Sequence, residues 1–82
     1  MMERVRELIR TAAVFTPGQQ IKPVWFDWRQ RQHRIIQTTY QWQEKSGDTT
    51  LLHFSVTDGE ALYELIYNTK DQNWLLHGVE AA

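Results

Sequence analysis

Cysteine is absent from the 82 residues. No disulfide staple or thiolate metal site can hold the chain, and a reducing, cytoplasmic setting is expected. No apolar run approaches the ~18–20 residues of a membrane span. The N-terminal MMERVRELIR alternates charge with aliphatic side chains and lacks the apolar centre of a secretion signal. No membrane partner is expected. Glycine occurs four times, at Gly18, Gly47, Gly59 and Gly78. Scattered in this way, the glycines form no phosphate-cradling loop, so no nucleotide cofactor is expected. There is no internal repeat and no low-complexity linker.

A chain of this length makes one domain and buries only about 60–65% of the surface it exposes when unfolded. Its stability must come from aromatic packing, supplemented by self-association. Four tryptophans, three tyrosines and three phenylalanines are available. The net charge of −1 by itself predicts no polyanionic partner, but the charge is unevenly placed. Residues 1–36 hold seven Lys/Arg against three acids, a net +4, whereas residues 37–82 hold two against seven, a net −5. Folded into a sheet, this asymmetry can become a basic side and an acidic side that steer a partner or pair with a second copy.

The densest signal is Ile21–Trp42, IKPVWFDWRQRQHRIIQTTYQW. Two aromatic and β-branched runs flank a polar patch, as in a β-hairpin. With Arg29 and Gln30 as the two turn residues, Trp28 pairs with Arg31, Phe26 with His33 and Trp25 with Arg34. One face carries Val24, Phe26, Trp28, Arg31, His33 and Ile35. The other carries Pro23, Trp25, Asp27, Arg34 and Ile36, continuing to Tyr40 and Trp42. Neither face is plainly polar, which favours a curled sheet over a flat one. The turn is the weak point, because a two-residue hairpin turn needs positive φ and prefers Asn-Gly or Asp-Gly. A longer loop remains the alternative.

Residues 2–10 fit two periods. Val5, Leu8, Ile9, Ala12 and Ala13 have helical spacing, while Ile9, Thr11, Ala13 and Phe15 alternate. A strand over roughly Glu7–Phe15 is favoured, with a frayed or briefly helical start. Pro17-Gly18 suits a type II turn that returns the chain into Gln20–Trp28 as an antiparallel neighbour. Gln43–Asp48 reads as a polar loop. Thr49–Thr57, Asp58-Gly59 and Glu60–Tyr67 read as a hairpin in which Val56 faces Ala61, Phe54 faces Tyr63 and Leu52 faces Leu65, an apolar core face. On its opposite face His53 pairs with Glu64. Asn68–Asn73 is a second polar loop, Trp74–Val79 a last strand, and Glu80–Ala82 a frayed tail. The expected fold is all-β, an antiparallel meander of about six strands curled into a half-barrel.

Catalytic and metal constellations are weak. The spacings of 20 and 24 residues between His33, His53 and His77 match no ligand motif. Ser55 beside His53, with Glu64 across the strand, lacks the cleft and oxyanion donors that nucleophilic catalysis requires. Asp58 and Glu60 flank a glycine, which is turn chemistry. No enzyme, metal or other cofactor is expected; a small enzyme ranks last among the readings. The interleaving of aromatic and basic residues carries more. Trp25 beside Arg34 and Trp28 beside Arg31 can stack guanidinium on indole, which stabilises a small sheet by roughly 0.5–1 kcal/mol per exposed pair. The same set, Lys22, Trp25, Trp28, Arg29, Arg31 and Arg34, could anchor a protein or peptide partner or a second copy. As the alternative, it could stack the bases of a single-stranded nucleic acid while arginines meet phosphates.

Phe15, Gly18, Pro23, Phe26, Trp28, Arg31, Trp42, Tyr63, Leu65 and Trp74 form a pattern over most of the chain. It resembles a family of small uncharacterised bacterial proteins and is loosely similar to a short C-terminal segment of bacterial polymerase-like DNA-repair proteins. The sequence departs from that pattern at Gln30, where a turn glycine would stand, and near His33, where an aromatic would. The resemblance implies a β-rich module and assigns no functional residue. The expected function is a small, non-catalytic binding module.

Overall fold

The computed structural model describes residues 1–81. Seven strands form one antiparallel sheet: β1 (Glu3–Val14), β2 (Lys22–Trp28), β3 (Arg31–Arg34), β4 (Gln37–Ser46), β5 (Thr49–Thr57), β6 (Ala61–Asn68) and β7 (Asn73–Ala81). Their order is β3-β2-β1-β7-β6-β5-β4. There is no helix among the described residues, and hence none long and apolar enough to cross a membrane.

The seventh strand arises because Arg31–Trp42 is two strands. Ile35 N donates to Val24 O at 3.0 Å, and the next amide, Ile36 N, donates to Thr57 O at 2.9 Å. The chain changes partner between consecutive residues, from β2 to β5. The two edge strands of the sheet, β3 and β4, are therefore joined at one corner, and the sheet curls without closing into a barrel. The expected half-barrel of about six strands is close to this.

The helical start is not found; β1 begins at Glu3. The reason lies in which inward positions are apolar. Val5, Ile9 and Ala13 pack against the core, while Glu7 and Thr11 occupy the alternate positions between them. A strand with every second inward residue polar shows apolar side chains four apart, which imitates a helix. A register shift between Arg4 and Glu7, with Arg6 at φ 57, adds to the disguise.

The first hairpin has the expected register, from Trp28↔Arg31 through Phe26↔His33 to Trp25↔Arg34. Arg29 and Gln30 hold φ of 53 and 62, the doubly left-handed geometry that side chains with a Cβ resist. Replacing Arg29-Gln30 by Asn-Gly should stabilise the fold by about 1–2 kcal/mol, read as a higher urea midpoint with unchanged slope. An unchanged or lower midpoint would mean that Arg29 contributes more through Trp28 than it costs in the turn. At Pro17-Gly18, Gln19 N donates to Thr16 O at 3.0 Å and Gly18 has φ 74, as a type II turn requires. β2 then runs back along β1, with a bulge opposite Ala12/Ala13. This bulge buries Pro23 on the inner face, whereas strict alternation places it outside.

The second hairpin keeps its faces but not its register. Val56 pairs with Tyr63, Phe54 with Leu65 and Leu52 with Tyr67, a shift of two residues from the expected pairing. Asp58 causes it. Its Oδ1 accepts from Glu60 N at 2.9 Å and Ala61 N at 3.1 Å, and Thr57 Oγ1 accepts from Gly59 N at 3.0 Å. These bonds build a wider loop than a two-residue turn. His53 consequently opposes Ile66, and Glu64 opposes Ser55. The expected loop Gln43–Asp48 is mostly strand: β4 continues to Ser46, which pairs with Thr49 around Gly47-Asp48. β7 likewise continues through Glu80 to Ala81. The core is Phe26, Phe54, Val56, Ala61, Tyr63, Leu65, Trp74 and Leu76; it includes the apolar face expected of the second hairpin except Leu52, which is partly buried against it.

Candidate binding cleft

Because β3 and β4 meet only at Ile35-Ile36, the curled sheet stays open beyond that corner. One wall of the opening is β4. The other is the segment Gln19–Lys22 that leads into β2. Between them lies a cleft of about 350 Å³ with Leu52 and Phe54 among its lining residues. It runs on past Gln19, Gln20, Ile21 and Gln41 into a second recess of about 480 Å³ along Ile36, Gln37 and Thr38.

The lining is unusual in kind. Gln19, Gln20, Gln37, Gln41 and Gln43 supply most of its polar groups, Ile21, Leu52, Phe54 and Trp42 the apolar ones of the first recess, Val14 and Ile36 those added by the second, and Lys22 its charge. A glutamine amide both donates and accepts. The register explains the inward glutamines: Gln41 pairs with Phe54 and Gln43 with Leu52, so both share the inner face. β4 is an edge strand of ten residues, and Gln37–Gln43, QTTYQWQ, carries no charge. An uncharged edge of this length is a template for another strand. Sequence reasoning missed these residues because neutral glutamines carry no motif. The recoverable signal was glutamine at alternate positions 41 and 43 beside an aromatic.

The six residues expected to bind do not form one surface. Trp25 and Arg34 are paired on the outer face. Trp28 faces the other way, against His33 and Tyr63, with its Nε1 donating to Glu7 Oε2 at 3.4 Å. Arg29 sits at the turn with its guanidinium 4.3 Å from the Trp28 ring centre. Arg31 is drawn away to Glu60 at 3.1 Å. Lys22 lines the cleft. The expected indole–guanidinium partners thus change: Arg10 covers Trp25 at 5.1 Å, and Arg29 covers Trp28. The charge asymmetry of the two chain halves does become spatial, since the sheet order keeps β3-β2-β1 together and β7-β6-β5-β4 together.

Away from the cleft, Asp58, His33 and Tyr63 form a buried polar cluster. The Asp58 and His33 side chains are 6% and 7% exposed. Asp58 Oδ2 accepts from the Tyr63 hydroxyl at 2.9 Å and lies 3.1 Å from His33 Nδ1. Burial raises the Asp58 pKa. The hydrogen bonds from His33, Glu60 N, Tyr63 and Ala61 N outweigh it and bring the carboxyl down to about 2. Burial, and then the bond to Asp58 and its charge, push the Tyr63 phenol up to about 12. Phe26 stacks on His33 at 5.0 Å. The other histidines lie elsewhere. His53 bonds Glu44 at 2.8 Å under Trp42, and His77 is on β7. No cluster of three or more His, Cys, Asp or Glu side chains suited to a metal occurs among the described residues.

Comparison with known proteins adds no relative: no family, no curated protein and no solved structure matches this chain.

Proposed function

We propose that the chain is a non-catalytic interaction module that takes an extended, largely uncharged polypeptide segment in the cleft between β4 and Gln19–Lys22. The observation that carries this reading is the uncharged edge of β4 alongside a recess lined by glutamine amides. Main-chain pairing to β4 supplies affinity, and Ile21, Leu52 and Phe54 receive an alternate apolar side chain. The lack of cysteine suits a reducing, cytoplasmic setting.

A second reading has its own support. β1–β3 gather Arg4, Arg6, Arg10 and Arg34 with Trp25, the composition of a surface for single-stranded nucleic acid. The resemblance to a segment of DNA-repair proteins belongs with this reading.

One experiment separates the two. Peptides selected from a random displayed library should be extended and poor in charge, and should shift the amide resonances of residues 19–22 and 37–43. A Gln41→Lys substitution should weaken them about tenfold or more. A selection that never exceeds background, or shifts confined to other strands, overturns the peptide reading. Quenching of tryptophan fluorescence by an oligonucleotide, with affinity falling steeply with salt and shifts at Arg10 and Arg34, would move the function to nucleic acid.

A further inference from the structure

The strand registers line up a row across the outer face that is apolar except for His53. Leu8 pairs with Leu75, Leu75 with Ile66, Ile66 with His53, and His53 with Trp42. The row crosses five strands, about 19 Å at the usual strand spacing. Its two ends are its most open points: Leu8 is 67% exposed and Trp42 37%, with Tyr40 beside Trp42 at 65%. Leu75 and Ile66 between them are only partly covered. No described residue lies over this face, which meets the inward-facing cleft only at Trp42.

Charge runs along the same row. At the β1 end stand Arg4 and Arg10; at the β4 end stands Glu44, with Glu64 on β6 between. Arg10 lies two residues beyond Leu8 on β1, and Glu44 two beyond Trp42 on β4, on the same side of the row because β1 and β4 are four strands apart and so run in the same direction.

We infer that this face is where two copies of the chain associate, face to face, about a two-fold axis parallel to the strands and passing over Ile66. That operation lays each residue over its mirror position in the row. Leu8 of one copy covers Trp42 of the other, Leu75 covers His53, and Ile66 meets Ile66. Arg10, whose Nε also donates to Asp27 Oδ2 at 2.8 Å, comes over Glu44, whose Oε1 is already bonded to His53, and Arg4 comes over the Tyr40 ring. Every off-axis contact occurs twice, as a self-complementary interface requires, and the strands of the two sheets run nearly aligned. Glu64, two residues from Ile66 on β6, lies on the axis and meets its own copy, a like-charge contact that weakens the association. Reversing the charge at one end alone breaks both ion pairs; reversing both ends restores them.

The size of the interface sets its strength. A stable dimer buries about 800 Å² per partner. The row is about 19 Å long and about 13 Å wide between the levels of Arg4 and Arg10, a footprint smaller than that. The association is therefore weak and concentration-dependent, with a dissociation constant on the order of micromolar or above.

Sedimentation velocity over a wide concentration series tests it. The parent chain should pass from monomer to dimer with no higher species. Leu8→Lys and Arg10→Glu should each raise the dissociation constant about tenfold or more, with unchanged circular dichroism. Leu8 is exposed, and the Arg10–Asp27 pair that Arg10→Glu removes lies at the surface, where such a pair adds little stability, so folding is retained. Glu44→Arg should do the same, and Arg10→Glu combined with Glu44→Arg should return it to within about threefold of the parent. A monomer at every concentration overturns the inference. So does a dimer that Leu8→Lys leaves intact, or a double charge reversal that fails to restore what the single reversals lose. None of these outcomes bears on peptide capture in the cleft.

Discussion

Asp58→Ala should remove about 3–5 kcal/mol of stability, most of what a domain of this size has. One carboxylate serves four donors: Oδ1 holds the Glu60 and Ala61 amides, and Oδ2 holds the Tyr63 hydroxyl and faces His33 Nδ1. Alanine strands all four, and three of them have no ready access to water. Asp58→Asn keeps the shape and an amide oxygen for the loop, and should cost about half as much. The distinction has a pH signature. The folded carboxyl titrates at about 2 against an ordinary value of 3.8. Its stabilisation is fully present above pH ~4 and is lost as the pH falls toward 2, in total roughly 2 kcal/mol for a shift of this size. Urea titrations between pH 6 and 2 should show that loss in the parent and not in Asp58→Asn. Parallel curves for the two would mean that another carboxylate governs acid unfolding.

The same carboxylate marks where sequence reasoning stopped. Asp58-Gly59 signals a hairpin, and the apolar alternation of Thr49–Thr57 fixes which side is buried. A shift of two residues preserves both features. Only the side-chain bonds of Thr57 and Asp58 select the wider loop, and those form only in the folded chain. In the first hairpin the aromatic runs determine the register so firmly that Arg29 and Gln30 are forced into positive φ. There the tertiary pattern overrides turn propensity. β1 deceived through composition: two polar residues at inward positions turn a period of two into a spacing of four.

The opening of the sheet was least legible. Ile35-Ile36 reads as the middle of one long strand, because a change of hydrogen-bond partner leaves no mark on side-chain alternation. Without that corner there is no cleft, and without the cleft the glutamines of β4 are ordinary polar positions. The tryptophan and arginine residues were sound as types. The pleat divides them, with Trp25 outward and Trp28 inward three residues later, so a cluster in sequence became two environments in space. The row Leu8–Leu75–Ile66–His53–Trp42 draws on five separate segments and exists only once the registers are known.

Phe26→Ala should be the other severe substitution, costing about 3–5 kcal/mol. Phe26 is fully buried and is shared by three strands: it pairs with Thr11 on β1 and His33 on β3. Its ring lies parallel to the imidazole at 5.0 Å and meets the Tyr63 ring edge-on at the same distance. Loss of the ring removes apolar burial and also the wall that holds His33 against Asp58. The damage should therefore couple to the polar cluster. In a double-mutant cycle with Asp58→Asn, the two losses should fall short of additivity by about 1 kcal/mol or more, since the first substitution already loosens the pair that the second disrupts. Phe26→Leu fills most of the volume without the stacking face and should cost about 1–2 kcal/mol. Strict additivity of Phe26→Ala and Asp58→Asn would show that packing around Phe26 and the Asp58 hydrogen bonds act as independent supports, and that His33 keeps its position without the ring beneath it.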